Sequence, residues 1–174
     1  MKDRDMKTIT FLGTVLFALA VAGASTAARA DSPRNAVTPL KAYAQECSTC
    51  HLAYPPGMLP ARSWQKIMGG LDKHYGSDAS LDAATVAEIA GWLQVNAGTY
   101  KRVREQPPED RITRAEWFVH KHREIAPSIW KLPSVRSAAN CAACHTGADK
   151  GRFNDDNLQV PAGVPAHLRR AWND

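Results

Sequence analysis

Two short cysteine motifs constrain this chain of 174 residues more than any other feature. Residues 47–51 and residues 141–145 both read Cys-x-x-Cys-His. In this pattern each cysteine can form a thioether with a vinyl group of haem, and the histidine binds the iron from one side. We therefore expect a fold built around two covalently bound haem c groups. The predicted haem-binding residues are Cys47, Cys50, His51, Cys141, Cys144 and His145.

Two other uses of a Cys-x-x-Cys pair explain the motifs less well. A structural zinc site normally needs a second paired half, and neither motif has one nearby. A thioredoxin-type redox pair would lie in a strand-helix-strand pattern and would not need the histidine that follows both copies. All four cysteines of the chain belong to the motifs, so no disulfide is predicted.

The N-terminus has the features of a secretory leader. Positively charged residues are followed by an apolar stretch over residues 9–24, and small residues at Ala28 and Ala30 form a cleavage pattern. The apolar stretch is shorter than the ~20 residues that span a bilayer, which favours a cleaved signal peptide over a membrane anchor. We expect residues 1–30 to be removed, Asp31 to be the mature N-terminus, and the protein to be periplasmic.

Hydrophobic spacing predicts an all-α protein. Leu40, Tyr43 and Cys47 recur at helical intervals and lead into the first motif. A second helix is predicted from Trp64 through His74, and a third from about residue 82 to 96. This order of helix, haem motif, loop and helices is typical of a class I cytochrome c, which we expect for the N-terminal haem domain.

The chain is predicted to divide near Pro107-Pro108, where prolines and charges over residues 104–110 indicate a linker or crossover. The expected domains are residues 31–106, with the first haem, and residues 107–174, a smaller and less regular domain with the second. The Thr113 to Glu116 stretch matches a capping box and predicts a helix that runs to Ala126.

The distal ligand of the first iron is predicted to be His74. It follows Ile67 and Leu71 on the helix face that should cover the haem. The alternative is a partly buried histidine at a helix end. Met58 lies in a proline-rich loop close behind the motif, and Met68 is better explained as a core residue.

The distal ligand of the second iron is predicted to lie upstream of its motif. His122 shares an apolar stripe with Phe118 and Ile125, whereas His120 points away from that stripe. His122 is therefore predicted to be the distal ligand, and His120 is predicted to be a solvated surface residue. His167, beside two arginines near the C-terminus, is a weaker rival and is expected to be exposed.

Several segments resemble the small dihaem cytochrome c family of purple and other proteobacteria. They are residues 47–51, 55–60, 64–75, 117–118, 121–124, 130–135 and 140–145. The resemblance implies two bis-histidine haems of low reduction potential. It also implies that the protein donates electrons to an oxygen-binding monohaem cytochrome c and receives them from a membrane b-type cytochrome.

The predicted function is electron transfer without catalysis, because two side-chain ligands on each iron leave no position for a substrate. One alternative is a small dihaem enzyme, a peroxidase or reductase, with one open haem. Another is an electron-entry subunit of a periplasmic oxidoreductase. A net charge of +5 without a basic run containing aromatic residues gives no reason to expect a nucleic-acid partner.

Overall fold

A computed structural model describes residues 37–172, which fold as an all-α protein, as predicted. The α-helices are α1 (Lys41–Cys47), α2 (Ala61–Met68), α3 (Ala83–Asn96) and α4 (Glu116–Lys121). Short 3-10 helices connect them and make up most of the C-terminal half: Pro56–Met58, Leu71–Lys73, Lys101–Val103, Pro108–Asp110, Ile112–Arg114, Ile129–Lys131, Cys141–Ala143, Ala148–Lys150, Asp155–Asn157 and Ala166–Trp172. Extended pairing over residues 37–172 is limited to two isolated bridges.

The predicted leader, residues 1–30, and the mature N-terminus at Asp31 lie outside the described residues. None of the helices within residues 37–172 has the length and apolar character needed to cross a membrane.

Helices α1 and α3 form where the sequence predicts them. Helix α1 ends at Cys47, the first cysteine of the first motif, and buries Tyr43. Helix α3 begins after Asp82, whose carboxylate accepts hydrogen bonds from the amides of Ala84 and Thr85. Such an N-cap satisfies amides that have no partner within the helix, so the start of α3 is specified locally.

The predicted second helix is interrupted, and the prediction that it continues to His74 is wrong. Helix α2 ends at Met68, and Gly69 and Gly70 follow it. Glycine has a low helix propensity, and a pair of glycines readily ends a helix. The chain continues as the 3-10 helix Leu71–Lys73, after which His74 stands at its C-terminal end. His74 is thus positioned by a turn and not by the face of a long helix.

The predicted capping box does not form either. Thr113 lies inside the 3-10 helix Ile112–Arg114, whose C-terminal neighbour Ala115 donates its amide to the carbonyl of Ile112. Helix α4 therefore starts only at Glu116, without a side-chain cap, and it ends at Lys121 instead of Ala126. His122 occupies the C-cap position, where the backbone has left the helical conformation.

The segment predicted as a linker is held against α2. Asp110 is only 4 % exposed, and its carboxylate lies 3.1 Å from the ammonium of Lys66 and 2.6 Å from the amide nitrogen of Gln106. Burial alone would raise the pKa of Asp110, but these hydrogen bonds and the charge of Lys66 lower it below its ordinary value. The predicted domain boundary between residues 106 and 107 stays a prediction.

Apolar side chains gather in two clusters. The first joins α1, α2 and α3 through Tyr43, Leu59, Trp64, Met68, Ile89 and Leu93. The second, in the C-terminal half, is smaller and centres on Ile129, Val135 and Val164. A small apolar core leaves a modest margin of stability, which bound haems increase if they bind only the folded chain.

Replacing Leu93 with alanine should lower the free energy of unfolding by about 2–5 kcal/mol, because Leu93 is 0 % exposed and its loss leaves a cavity. Val95 lies on the same helix but is 83 % exposed, so Val95→Ala should change stability by no more than about 0.5 kcal/mol. Denaturant unfolding of the haem-loaded proteins measures both. Equal losses in the two variants would contradict the position of the core.

Candidate functional site

The first motif brings its histidine opposite His74. The Nδ1 atom of His51 lies 2.7 Å from the carbonyl oxygen of Leu52 and donates to it, which leaves Nε2 for a metal. The imidazole rings of His51 and His74 have centroids 6.0 Å apart, and their planes differ by 22°. The rings of the predicted proximal and distal ligands are therefore close and nearly parallel.

The separation of the two rings fits a shared metal ion. A metal–imidazole nitrogen bond is about 2.0–2.1 Å long, so two imidazoles on opposite sides of one metal have centroids about 6 Å apart. Direct ring stacking would bring the centroids nearer, as for Phe118 and His122 at 4.0 Å. The donor set of two cysteines and two histidines on this side of the molecule therefore fits a covalently bound haem.

Residues near the predicted linker hold the neighbour of His74. The hydroxyl of Tyr75 lies 3.1 Å from the carbonyl oxygens of both Glu109 and Asp110. The guanidinium of Arg111 lies 4.2 Å from the centre of the Tyr75 ring, within range of a cation–π interaction. Tyr75 has a positive φ of 50°, a conformation that needs support from its surroundings. These contacts fix the turn from which His74 projects.

The second motif brings its histidine opposite His122. The ring centroids of His122 and His145 are 6.2 Å apart, and here the planes are nearly perpendicular, at 76°. His122 donates from Nδ1 to the carbonyl oxygen of Phe118 at 2.9 Å, which again leaves Nε2 available. The rings of Phe118 and Trp130 flank His122 and restrict its orientation.

Other candidate ligands lie elsewhere. His120 and His167 are exposed, as expected for solvated histidines. Met58 and Met68 are buried, and Met68 belongs to the core between α1, α2 and α3. Within the described residues, neither His120 nor His167 has its ring opposite that of a motif histidine, as His74 and His122 do. As distal ligands, His74 and His122 remain predictions that this geometry supports.

Burial favours the neutral form of three of these histidines. It lowers the pKa of His74, His122 and His145, and mutual repulsion lowers it further, from His51 on His74 and from His122 on His145. Neutral imidazole is the form that binds a metal. The Nδ1 atom of His145 is also buried without a hydrogen-bond partner within the described part of the chain.

Sequence reasoning missed two aromatic residues beside the proximal histidines. Tyr54 stacks on His51, with centroids 5.1 Å apart, and Phe153 meets the ring of His145 at 5.7 Å. The only sequence signal for this contact was that Tyr54, an aromatic residue, lies three positions after His51. Burial raises the pKa of Tyr54 to about 12. His51, Tyr54 and Ala142 also line one cavity of about 740 Å³, which places the two motifs near each other.

Comparisons with known proteins agree with this arrangement. A model of the dihaem cytochrome c family matches residues 43–153. A dihaem cytochrome c from Rhodobacter sphaeroides is 42% identical, with a TM-score of 0.60, and the match covers 67% of this chain and 98% of that one. A dihaem cytochrome c from Shewanella baltica is 34% identical, with a TM-score of 0.62, and the match covers 75% of this chain and 96% of that one. A search of curated proteins found no match.

The comparisons confirm the predicted family and cofactors. The cysteines of both motifs stand where two haem c groups are covalently attached, and proteins of this kind transfer electrons. The family match spans both motifs and both histidine pairs. The chain belongs to the dihaem cytochrome c family.

Proposed function

We propose that this protein is a periplasmic electron carrier whose two haem irons each have two histidine ligands. The observation that carries the proposal is the pair of opposed imidazoles, His51 with His74 and His122 with His145, at 6.0 and 6.2 Å. When bound, a haem supplies one reversible electron between its ferrous and ferric states. The four histidines would restrict that chemistry to electron transfer, because two histidine ligands on each iron would leave no position for a substrate.

The arrangement supports a carrier in preference to an enzyme. A dihaem peroxidase or reductase needs one axial position that substrate can enter. His74 is fixed by the turn around Tyr75, and His122 is fixed by Phe118 and by its hydrogen bond to the backbone. Ligands held in this way are not readily displaced by substrate. An electron-entry subunit of an oxidoreductase would also be an electron carrier, but one with a permanent partner. The arrangement of the histidines supports both kinds of carrier equally.

The proposed partners are an oxygen-binding monohaem cytochrome c as acceptor and a membrane b-type cytochrome as donor. They are carried over from the family resemblance. Exposed basic residues, among them Lys73, Lys131 and Arg136, offer charges for a transient and partly polar contact. Lys66 is already paired with Asp110. Export through the leader over residues 1–30 would bring the protein into the same compartment as these partners.

Stopped-flow mixing of the reduced protein with an oxidised, exported monohaem cytochrome c tests the proposal. We expect rapid electron transfer whose rate falls as salt is raised, because screening shortens the reach of complementary charges to about 10 Å at 0.1 M. Reduction of a small uncharged electron acceptor, mixed at the same concentrations, serves as the control, and its rate should not change as salt is raised.

Two outcomes would contradict parts of this proposal. A rate that does not depend on salt would remove the electrostatic docking. Failure to reduce any exported cytochrome, together with turnover of peroxide by the isolated protein, would favour the dihaem enzyme.

A further inference from the structure

The side chain of Tyr54 reaches from the first haem site to the second. Its ring lies nearly parallel to that of His51, at 21°, with centroids 5.1 Å apart. Its hydroxyl donates a hydrogen bond of 2.8 Å to the carbonyl oxygen of Ala139, 85 residues away in the sequence. One residue therefore contacts the proximal ligand of the first iron and the chain that leads into the second motif.

The second end of this contact lies next to a haem-binding cysteine. Ala139 precedes Cys141 by two residues, and the Sγ atom of Cys141 lies 3.7 Å from the same carbonyl oxygen that accepts from Tyr54. Cys141 is a residue through which the second haem is covalently attached. Only one hydrogen bond and a short stretch of main chain thus separate the Tyr54 ring from that attachment.

Tyr54 is also held firmly in this position. The hydroxyl of Tyr43 donates to the carbonyl oxygen of Tyr54 at 2.7 Å, and Tyr43 is buried on α1. The hydroxyl of Tyr54 is the donor toward Ala139, because the carbonyl oxygen of Ala139 can only accept. The contact is therefore anchored at both ends and does not depend on a flexible side chain.

We propose that Tyr54 is the bridge through which electrons pass between the two haems. Electron tunnelling is faster through covalent bonds, hydrogen bonds and ring contacts than across open gaps. The path runs from the ring of His51 to the ring and hydroxyl of Tyr54, then through the carbonyl of Ala139 to Cys141. One electron leaves a ferrous iron and arrives at a ferric iron, and Tyr54 is neither oxidised nor deprotonated.

This inference rests on the proposal that both haems carry electrons, but its test needs no partner. Flash reduction of the oxidised, haem-loaded protein gives a concentration-independent phase in which the electron equilibrates between the haems. A protein that equilibrates internally but does not reduce another cytochrome would contradict the proposed function alone.

Two substitutions at Tyr54 separate the ring from the hydroxyl. Tyr54→Phe keeps the ring against His51 and removes the hydrogen bond, so the equilibration rate should fall several-fold. Tyr54→Leu also removes the aromatic ring and should slow the rate further. The phenylalanine variant preserves the packing, so the test does not depend on the leucine variant taking up both haems.

The matched control is Tyr100→Phe. Tyr100 also donates its hydroxyl to a carbonyl oxygen, that of Gly57 at 3.1 Å. Within residues 37–172, no side-chain hydrogen bond or ring contact joins Tyr100 to either motif. The rate of electron equilibration between the haems in Tyr100→Phe should equal that of the unaltered protein. In Tyr54→Phe, both reduction potentials and both low-spin spectra should stay unchanged, which a general structural disturbance would not allow.

Three results would overturn the proposal. The first is an unchanged rate in Tyr54→Phe. The second is an equal loss of rate in Tyr100→Phe. The third is a slower rate in Tyr54→Phe that comes with shifted potentials, because a changed driving force would then explain it.

Discussion

Replacing His122 with alanine is expected to turn one of the two haems from low-spin to high-spin. The ring centroid of His122 is 6.2 Å from that of His145, and its Nδ1 atom donates to the carbonyl of Phe118, which leaves Nε2 available to bind a metal. Removing the imidazole opens one axial site, which carbon monoxide should then bind in the ferrous state. Ferric and ferrous absorption spectra, with and without carbon monoxide, measure the change.

His120→Ala is the matched control, since His120 lies two residues away and is exposed. It should leave both haems low-spin and unreactive toward carbon monoxide. If His120→Ala opened the haem and His122→Ala did not, the second distal ligand would be His120. Binding of carbon monoxide by the unaltered protein would mean that one iron is open, in agreement with the enzyme hypothesis.

Replacing His74 with methionine is expected to raise the reduction potential of the first haem by on the order of 100 mV or more, because methionine ligation favours the ferrous state. The second haem, whose ligands are unchanged, should keep its potential. A potentiometric titration followed by absorption resolves both. A new charge-transfer band at the red end of the ferric spectrum should accompany the shift, as the sign of an iron–methionine bond.

Met58 and Met68 provide the controls for this experiment. Both are buried, and replacing either with leucine keeps the apolar volume and should cost less than about 1.5 kcal/mol of stability. Neither replacement should change the haem spectra or potentials. A charge-transfer band in the unaltered protein that disappears in Met58→Leu or Met68→Leu would show that a methionine, and not His74, binds the first iron.

Local sequence was enough to predict the attachment sites and two helices. Each cysteine pair and its histidine lie within five consecutive residues, so their chemistry needs no long-range contact. Helices α1 and α3 were predicted from apolar spacing, and the structure shows that the Asp82 cap specifies the start of α3. In each case the information lies within a few turns of chain, which is the range over which helix propensities and caps act.

Element boundaries were harder to predict where turns compete with helices. Gly69 and Gly70 end α2 before the apolar stripe is complete, and the chain reaches His74 through a 3-10 helix. Thr113 has the spacing of a capping box, but it is drawn into the turn Ile112–Arg114. The local backbone conformations differ little in energy in such cases, so tertiary packing decides which of them forms.

By itself, the sequence determined that two haems are attached and which residues attach them, because thioether formation depends on neighbours in the chain. The sequence also predicted His74 and His122 as distal ligands, but only the tertiary structure decided how distant side chains are brought to these sites. It places His74 opposite His51, His122 opposite His145, and the hydroxyl of Tyr54 on the carbonyl of Ala139. The physical reason is that these contacts join segments far apart in sequence, and they form only when two apolar clusters and the turns between them pack together.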